Sequence, residues 1–303
     1  MKIAIVGGAG GIGSSVAFNL LRTDDPYEIV VIDNRDNMIV SHVMDLQDAL
    51  SLGGAKSVVG GTMADAFDAD IVVLSAATPL TINTSRDVYL AGNAAIVGGV
   101  VDQLVAGGFE GILLLMTNPV DPLLTWVVRR TGWSRNRVLG YTLNDTQRFR
   151  TGVAQALGVA PQRVSCWVVG EHGAGAVQVF SSVLLDGKPV ELTAEQQTHA
   201  LDYAQNWYVR HVALDSGRTS TWSSGIGGAL MIDAIAHPTD VPFPASVILE
   251  GEYGVHGISS SAPVILGAQG LEKVVEIPLA SNELEQIREV AVKIDELASS
   301  LDS

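Results

Sequence analysis

Apolar positions along this chain of 303 residues fall into two rhythms. In the first half, short near-continuous apolar runs at 3–6, 29–32, 71–76 and 112–117 alternate with stretches at 14–22, 37–50 and 88–105 whose apolar residues recur at helical spacing. Such runs predict strands buried on both faces, as in a parallel sheet, with the stretches between them as covering helices. Val138 and Leu139 form one more short run of the series. The rhythm then changes. Residues 144–157 read as helix, 163–169 and 177–185 as strands, and Leu185, Asp186, Gly187 and Lys188 as a hairpin turn. Helices follow at about 193–213 and 221–236, then short antiparallel strands at 247–250, 255–260 and 264–266. Ser281, Asn282 and Glu283 offer a cap for a last helix reaching about Leu301. The pattern predicts an α/β chain: a doubly wound parallel sheet over residues 1–140, then an α+β domain with antiparallel strands over 141–303, divided near Gly140.

The first strand runs into a glycine-rich turn. Gly8, Gly10 and Gly13 make G-x-G-x-x-G, and Gly7, Gly10 and Gly13 overlay a second version of it. A helix follows, then a second strand that ends on Asp33, 20 residues after Gly13. In that context the motif reads as a Rossmann-type dinucleotide site, since a pyrophosphate needs bare backbone N–H groups and the positive end of a helix. On this reading a Cβ at Gly8 or Gly10 pushes the phosphates away, and one at Gly13 separates helix from strand. Asp33 can accept hydrogen bonds from both ribose hydroxyls and repels a 2′-phosphate, which favours NAD over NADP; Arg35 weakens that preference. The competing reading is a glycine-rich helix start that binds nothing.

Bulk properties narrow the partners. A net charge of −15 speaks against nucleic acid and against anionic membrane surfaces. The single cysteine, Cys166, lies in an apolar run, so neither a disulfide nor a thiolate metal cluster is expected, and a reduced, cytoplasmic setting is the natural reading. No stretch approaches a membrane span, and residues 3–21 fit a fold element better than a signal peptide.

Four polar clusters carry candidate chemistry. Thr117, Asn118, Pro119, Val120 and Asp121 follow the fourth strand directly, and a strand's carboxyl end is where open parallel sheets bind ligands. Asn144, Asp145, Thr146, Gln147 and Arg148 open a helix, with Asp145 and Arg148 on one face. Gly170, Glu171, His172 and Gly173 again follow a strand. A loop at 77–87 holds Pro79, Thr81, Thr84, Ser85 and Arg86. Each has a plainer reading: Asp145 with Arg148 as a surface ion pair, His172 as a capped turn residue.

Taken together, these segments resemble the lactate/malate dehydrogenase family over the whole length. GGAGGIG, MTNPVD, NDTQRFR, GEHG, LEGEYG and PVILG come in the family's order and at its spacings. The resemblance implies NAD as cofactor and interconversion of 2-hydroxy and 2-keto acids. It makes His172 the proton donor and acceptor, Asp145 the carboxylate that orients it and Arg148 the grip on the substrate carboxylate. Arg86 polarises the carbonyl from a mobile loop, Asn118 bonds the substrate oxygen beside a cis Asn-Pro bond, and Ser220 lies beside the nicotinamide. Gly7, Gly8, Gly10, Gly11, Ile12, Gly13, Asp33, Ala76, Asn93, Thr117 and Asn118 fall to the cofactor, and no metal is implied. The chemistry suits those residue types: imidazole can give and retake a proton near neutral pH, a carboxylate favours its charged form, and a guanidinium grips a carboxylate with two parallel bonds. A homodimer or homotetramer is also implied, with the helix carrying Asp45, Leu46, Gln47, Asp48 and Ala49 at the dimer contact, leaning towards the tetrameric malate dehydrogenase branch.

The chain departs from the family at the substrate end. Leu80 stands where malate enzymes carry arginine and lactate enzymes glutamine. Leucine cannot pair with the distal carboxylate of oxaloacetate, which predicts a substrate with an apolar or uncharged side chain. Arg210, at a usually small pocket position, or Arg218, near Ser220, are the alternatives for a relocated cation that would keep the chain a malate dehydrogenase. From a different class, a non-catalytic NAD-binding sensor is weighed against these readings; it has no need of a proton relay. Asn144 replaces a usual leucine and predicts a packing change only. Gly175 and Ala176 replace more polar residues, without a reason legible in the sequence.

Overall fold

A computed structural model describes residues 1–51, 57–79 and 89–302. Its elements in chain order are β1 (Lys2–Val6), α1 (Gly11–Leu21), β2 (Glu28–Ile32), α2 (Asp36–Leu50), β3 (Ser57–Gly60), β4 (Ile71–Leu74), α3 (Leu90–Ala106), β5 (Ile112–Leu115), α4 (Val120–Thr131) and β6 (Val138–Tyr141). There follow α5 (Leu143–Leu157), β7 (Val164–Gly170), β8 (Ala176–Leu185), β9 (Lys188–Pro189), α6 (Ala194–Gln205), α7 (Trp207–Ala213), α8 (Thr221–Ala236), β10 (Phe243–Glu250), β11 (His256–Gly267), β12 (Gly270–Val274) and α9 (Ser281–Ser299). Among the described residues, no helix is long and apolar enough to cross a membrane.

The strands join one sheet in the order β3-β2-β1-β4-β5-β6-β10-β11-β7-β8-β9, with β12 beside β11. From β3 to β6 the pairing is parallel, and from β10 onward antiparallel. The switch occurs at β6, which pairs parallel with β5 and antiparallel with β10. Alternate residues of each parallel strand feed opposite cores. Ile3, Ile5, Val73 and Leu114 meet Val16 and Leu20 of α1 and Ile232 of α8 on one side. Ala4, Val72, Leu74 and Leu113 meet Val97 and Leu104 of α3 and Leu123 of α4 on the other. Each such leucine or isoleucine, fully buried, contributes about 1.5–3 kcal/mol. A third core joins Phe149 and Val153 of α5 to Val164, Cys166 and Val168 of β7.

The doubly wound sheet and its antiparallel extension follow the pattern of the sequence, but several elements differ. The stretch 193–213 is two helices, α6 and α7, broken at Asn206. The two strands expected at 255–260 and 264–266 are one, β11, whose serines and Pro263 interrupt the apolar run without interrupting the ladder. Helix α4 went unpredicted because Val120 to Val127 are all buried, which erases the amphipathic period, and because Pro119 and Pro122 flank its start. Strands β3 and β12 lack an apolar run, since only Val58 of β3 is buried and exposed Glu272 and Lys273 interrupt β12. The start of the helix expected at 88–105 falls partly outside the described residues.

Candidate active site

The dinucleotide side of the site is built from backbone at the carboxyl ends of β1 and β4, between which the strand order reverses. The chain leaves β1 through Gly7, whose φ of 81° suits glycine, and whose Cβ position would lie 2.5 Å from Ala76 N. A Cβ on Gly13 would lie 2.5 Å from Gly7 O, so this glycine lets α1 sit against the turn. At Gly8 the obstacle is Ile5 O at 2.7 Å, so the turn's own backbone, before any phosphate, requires glycine there. Gly10 caps α1 without a side-chain bond to its first turn, leaving that turn's N–H groups to a ligand.

Asp33 follows β2 with its side chain 6% exposed. Its carboxylate accepts from Ala9 N–H at 3.3 Å and from Arg35 Nε at 2.9 Å. Burial pushes this carboxyl up, but the Arg35 guanidinium and the Ala9 amide outweigh burial and hold it below the ordinary carboxylate range. The cradle, the open helix N-terminus and an ionised acid at the end of β2 fit an adenine dinucleotide with a free ribose diol.

Beyond the glycines, Thr117 Oγ donates to Ala76 O at 2.8 Å, tying the ends of β4 and β5. Asn93 of α3 donates to Asn118 O at 2.6 Å and accepts from Thr78 N–H at 2.7 Å. The Asn118-Pro119 bond is cis. Ile12, Asn93, Thr117 and Asn118 line a cavity of about 150 Å³ whose far wall is made by Arg148, His172 and Ser220.

His172 sits at the tip of the β7–β8 hairpin. Its Nδ1 faces Asp145 Oδ2 at 2.5 Å, joining residues far apart in sequence. Its backbone N–H donates to Asp121 Oδ2 at 2.6 Å, while Ser259 Oγ donates to Asp121 Oδ1 at 2.7 Å. Asp121 is fully buried, and burial pushes its carboxyl up despite these bonds. Asp121 therefore pins the hairpin tip from below. Its place at the end of the 117–121 cluster was visible in the sequence, but its reach to His172 was not. Glu171 Oε2 accepts from Gly175 N–H at 2.9 Å and closes the turn. A Cβ on Gly175 would lie 2.6 Å from that oxygen and 2.9 Å from Val290 of α9, which accounts for glycine at this position.

Asp145 and Arg148 share one face of α5, with Arg148 NH1 3.6 Å from Asp145 Oδ1. Arg148 is buried, so the pair is no surface ion pair. Its NH2 donates to Ser220 Oγ at 3.4 Å, and its guanidinium carbon lies 4.0 Å from the centre of the Trp207 ring. Asn144 does more than alter packing. It is buried, donates to Ser224 Oγ at 2.9 Å and accepts from Tyr141 OH at 3.0 Å, fastening α5 to the start of α8. Trp207, Tyr208 and His211, which sequence reasoning passed over, also line the cavity.

The two arginine alternatives separate. Arg218 lines the cavity, its guanidinium 5.1 Å from the Trp222 ring. Arg210 is not brought there: it donates to Asp202 O at 3.2 Å and to Tyr203 O at 2.8 Å and pairs with Asp202 Oδ2 at 3.1 Å. Asp202 O also accepts from the Asn206 backbone N–H, and Tyr203 O is among the last carbonyls of α6, so Arg210 caps a helix. Leu80 and Arg86 lie outside the described residues. Cys166 is buried, and burial pushes its thiol up to about 12.

Comparisons with known proteins agree with this geometry. The lactate/malate dehydrogenase NAD-binding domain matches residues 1–140, and the alpha/beta C-terminal domain of the same family matches residues 142–302. The L-lactate dehydrogenase of Lactobacillus delbrueckii subsp. bulgaricus is 34% identical over 99% of both chains. The malate dehydrogenase of Nitratiruptor sp. is 29% identical over 100% of this chain and 96% of its own. The crystal structure of Cryptosporidium parvum malate dehydrogenase superposes with a TM-score of 0.94 at 26% identity, covering 99% of this chain and 98% of that one. Relatives on both sides are dehydrogenases, which sets the sensor reading aside: the chain belongs to the lactate/malate dehydrogenase family, NAD-dependent enzymes that interconvert 2-hydroxy and 2-keto acids.

Proposed function

We propose that the chain acts on a small 2-keto acid with an apolar or uncharged side chain, and on the matching 2-hydroxy acid, with His172 as general acid and base. The observation that carries this is the Asp145–His172 contact at 2.5 Å, set against a cavity that also holds Arg148 and Asn118. With Nδ1 committed to Asp145, Nε2 is the nitrogen left to exchange a proton. Bound NAD supplies or accepts the hydride at the substrate carbon. His172 gives a proton to the carbonyl oxygen as the hydroxy acid forms and takes it back in the reverse direction. Asp145 orients the imidazole and stabilises its charged form. Arg148 holds the substrate carboxylate in the plane of its guanidinium, Asn118 donates to the reacting oxygen and Ser220 borders the nicotinamide. The family resemblance gives Arg86 the role of stabilising charge developing on oxygen.

Leu80 supports the uncharged side chain, because a distal carboxylate left unpaired in a closed site is costly. Arg218 on the cavity wall favours the second reading, a malate dehydrogenase with a relocated cation. Rates of NADH oxidation at 340 nm with pyruvate, 2-ketoisocaproate and oxaloacetate decide between them. Oxaloacetate is expected to be the poorest, and Leu80→Arg is expected to improve it about tenfold or more. Oxaloacetate preferred by orders of magnitude, with the preference removed by Arg218→Ala, establishes the second reading.

The same proposal divides the chain into dinucleotide and substrate domains near Gly140 and places it in the reducing cytoplasm as a dimer or tetramer. Phe18 of α1, Met44 of α2, and Trp222 and Ile226 of α8 are exposed, and a groove lined by Phe18, Leu46, Trp222 and Ile226 joins these three helices. A second copy of the chain covers that face.

A further inference from the structure

We propose that Trp207 is a positioning residue for the substrate-carboxylate grip of Arg148, and that the break between α6 and α7 serves to place it. The inference rests on the reading of Arg148 as that grip. A guanidinium carries all its donors in its own plane and is weakly hydrated on its faces. The Arg148 guanidinium carbon lies over the Trp207 indole, 4.0 Å from the ring centre and within cation–π distance. Packed there, the group keeps its in-plane N–H groups for Asp145 at 3.6 Å, for Ser220 at 3.4 Å and for a ligand carboxylate at the cavity. The ring competes for none of those donors, and it shields the cation from water on that side.

The indole is itself held by a second ring. The His211 ring stacks on it with centroids 4.8 Å apart and planes 13° apart. His211 Nε2–H donates to Arg218 O at 2.9 Å. The indole thus joins guanidinium and imidazole in one contact chain. Its far end is bonded to the segment that carries Arg218 and leads to Ser220.

That contact chain depends on the helix break. Asn206 ends α6, donating from its backbone to Asp202 O at 3.1 Å and from Nδ2 to Asp202 Oδ1 at 2.8 Å. Arg210 caps the carbonyls of Asp202 and Tyr203 from the next helix. These bonds stabilise the elbow, and Trp207 is the first residue after it. In a single continuous helix the Trp207 backbone N–H would take the Tyr203 carbonyl that the Arg210 side chain caps here.

Steady-state kinetics of Trp207→Leu, Trp207→Phe and Arg148→Lys with the accepted keto acid and NADH test the inference. Trp207→Leu is expected to raise the keto-acid KM about tenfold, with kcat and the KM for NADH within about threefold of the parent. Trp207→Phe, which keeps a flat ring, is expected to stay within about threefold throughout. Should Trp207→Leu melt below the assay temperature, Trp207→Met, flexible and without a flat face, carries the same expectation. An unchanged keto-acid KM in the non-aromatic variant overturns the inference, as does a fall in kcat or a rise in the KM for NADH as large as the change in keto-acid KM. Arg148→Lys separates the two levels: if it leaves the keto-acid KM unchanged, the grip itself is wrong. If it raises that KM while Trp207→Leu does not, only the stack is wrong.

Discussion

Between Val6 and Gly13 the chain shapes a ligand site from backbone, whereas around His172 it draws side chains from elements far apart in sequence. In the first region the constraint at each position is steric and local: Gly7, Gly8 and Gly13 are glycine because Ala76, Ile5 and Gly7 backbone atoms stand within 3 Å of any added Cβ. In the second, side chains do the holding: Asp121 holds the His172 backbone, Asn144 fastens Ser224 and Trp207 packs on Arg148. The first arrangement admits almost no substitution, as suits its proposed role of holding a part of the cofactor that never varies. The second would leave individual walls free to change with the substrate while the proposed Asp145–His172 couple stays put.

The largest expected effect on cofactor affinity breaks the backbone-built region. Gly13→Val places a branched side chain between α1 and the Gly7 turn, where even a Cβ meets Gly7 O at 2.5 Å. Overpacking of this kind costs about 1–3 kcal/mol, so NADH affinity read by fluorescence titration is expected to fall about 10- to 100-fold. Wild-type affinity in Gly13→Val would show that the close approach is not required.

A smaller effect sharpens the boundary between the regions at Asp33, the one acidic side chain proposed to touch the cofactor. Asp33→Gly removes the charged acceptor for the ribose diol and releases Arg35, now paired with it at 2.9 Å, for a 2′-phosphate. The ratio of kcat/KM for NADH over NADPH is expected to drop at least about tenfold. An unchanged ratio would remove Asp33 from cofactor selection.

The sequence made the first region legible for the reason that defines it. A glycine is visible in one letter, and its spacing from Asp33 reports a strand-turn-helix-strand unit directly. His172, Asp145, Arg148, Asn118 and Ser220 were legible through motif resemblance, and the structure brings them to one cavity or, for Asp145, directly behind His172. Trp207 and His211 were not, because nothing in a helical run from 193 to 213 announces a break at Asn206. That break depends on Asp202, Asn206 and Arg210 acting together. For the same reason Arg210 looked like a substrate cation in the sequence and proves to be a helix cap. Asp121 was hidden differently: its partners, Ser259 and the His172 amide, lie on strands and turns joined only by the fold.

The smallest expected effect concerns the seam between the parallel and antiparallel parts of the sheet. Arg135, just before β6, donates to Ile248 O of β10 at 3.0 Å and pairs with Glu252 at 3.1 Å. Burial pushes the Glu252 carboxyl up, but backbone N–H donors and Arg135 outweigh it and leave it below its ordinary value. A carboxyl so depressed in the folded state contributes stability that is complete above the unfolded pKa of about 4.3 and is lost as pH falls through the folded value. The melting temperature of the parent is therefore expected to fall more steeply below pH 4.3 than that of Glu252→Gln. Parallel curves would show that the seam pair carries no linkage.

The substrate region stands or falls on the Asp145–His172 couple, and a double-mutant cycle on kcat/KM for keto-acid reduction probes it most directly. Each single change, Asp145→Asn and His172→Gln, is expected to cost about 10²–10⁴-fold, and the double variant to be no worse than His172→Gln alone, because the carboxylate acts only through the imidazole. Losses that multiply in the double variant, or an Asp145→Asn enzyme with parental kcat/KM, would contradict the account.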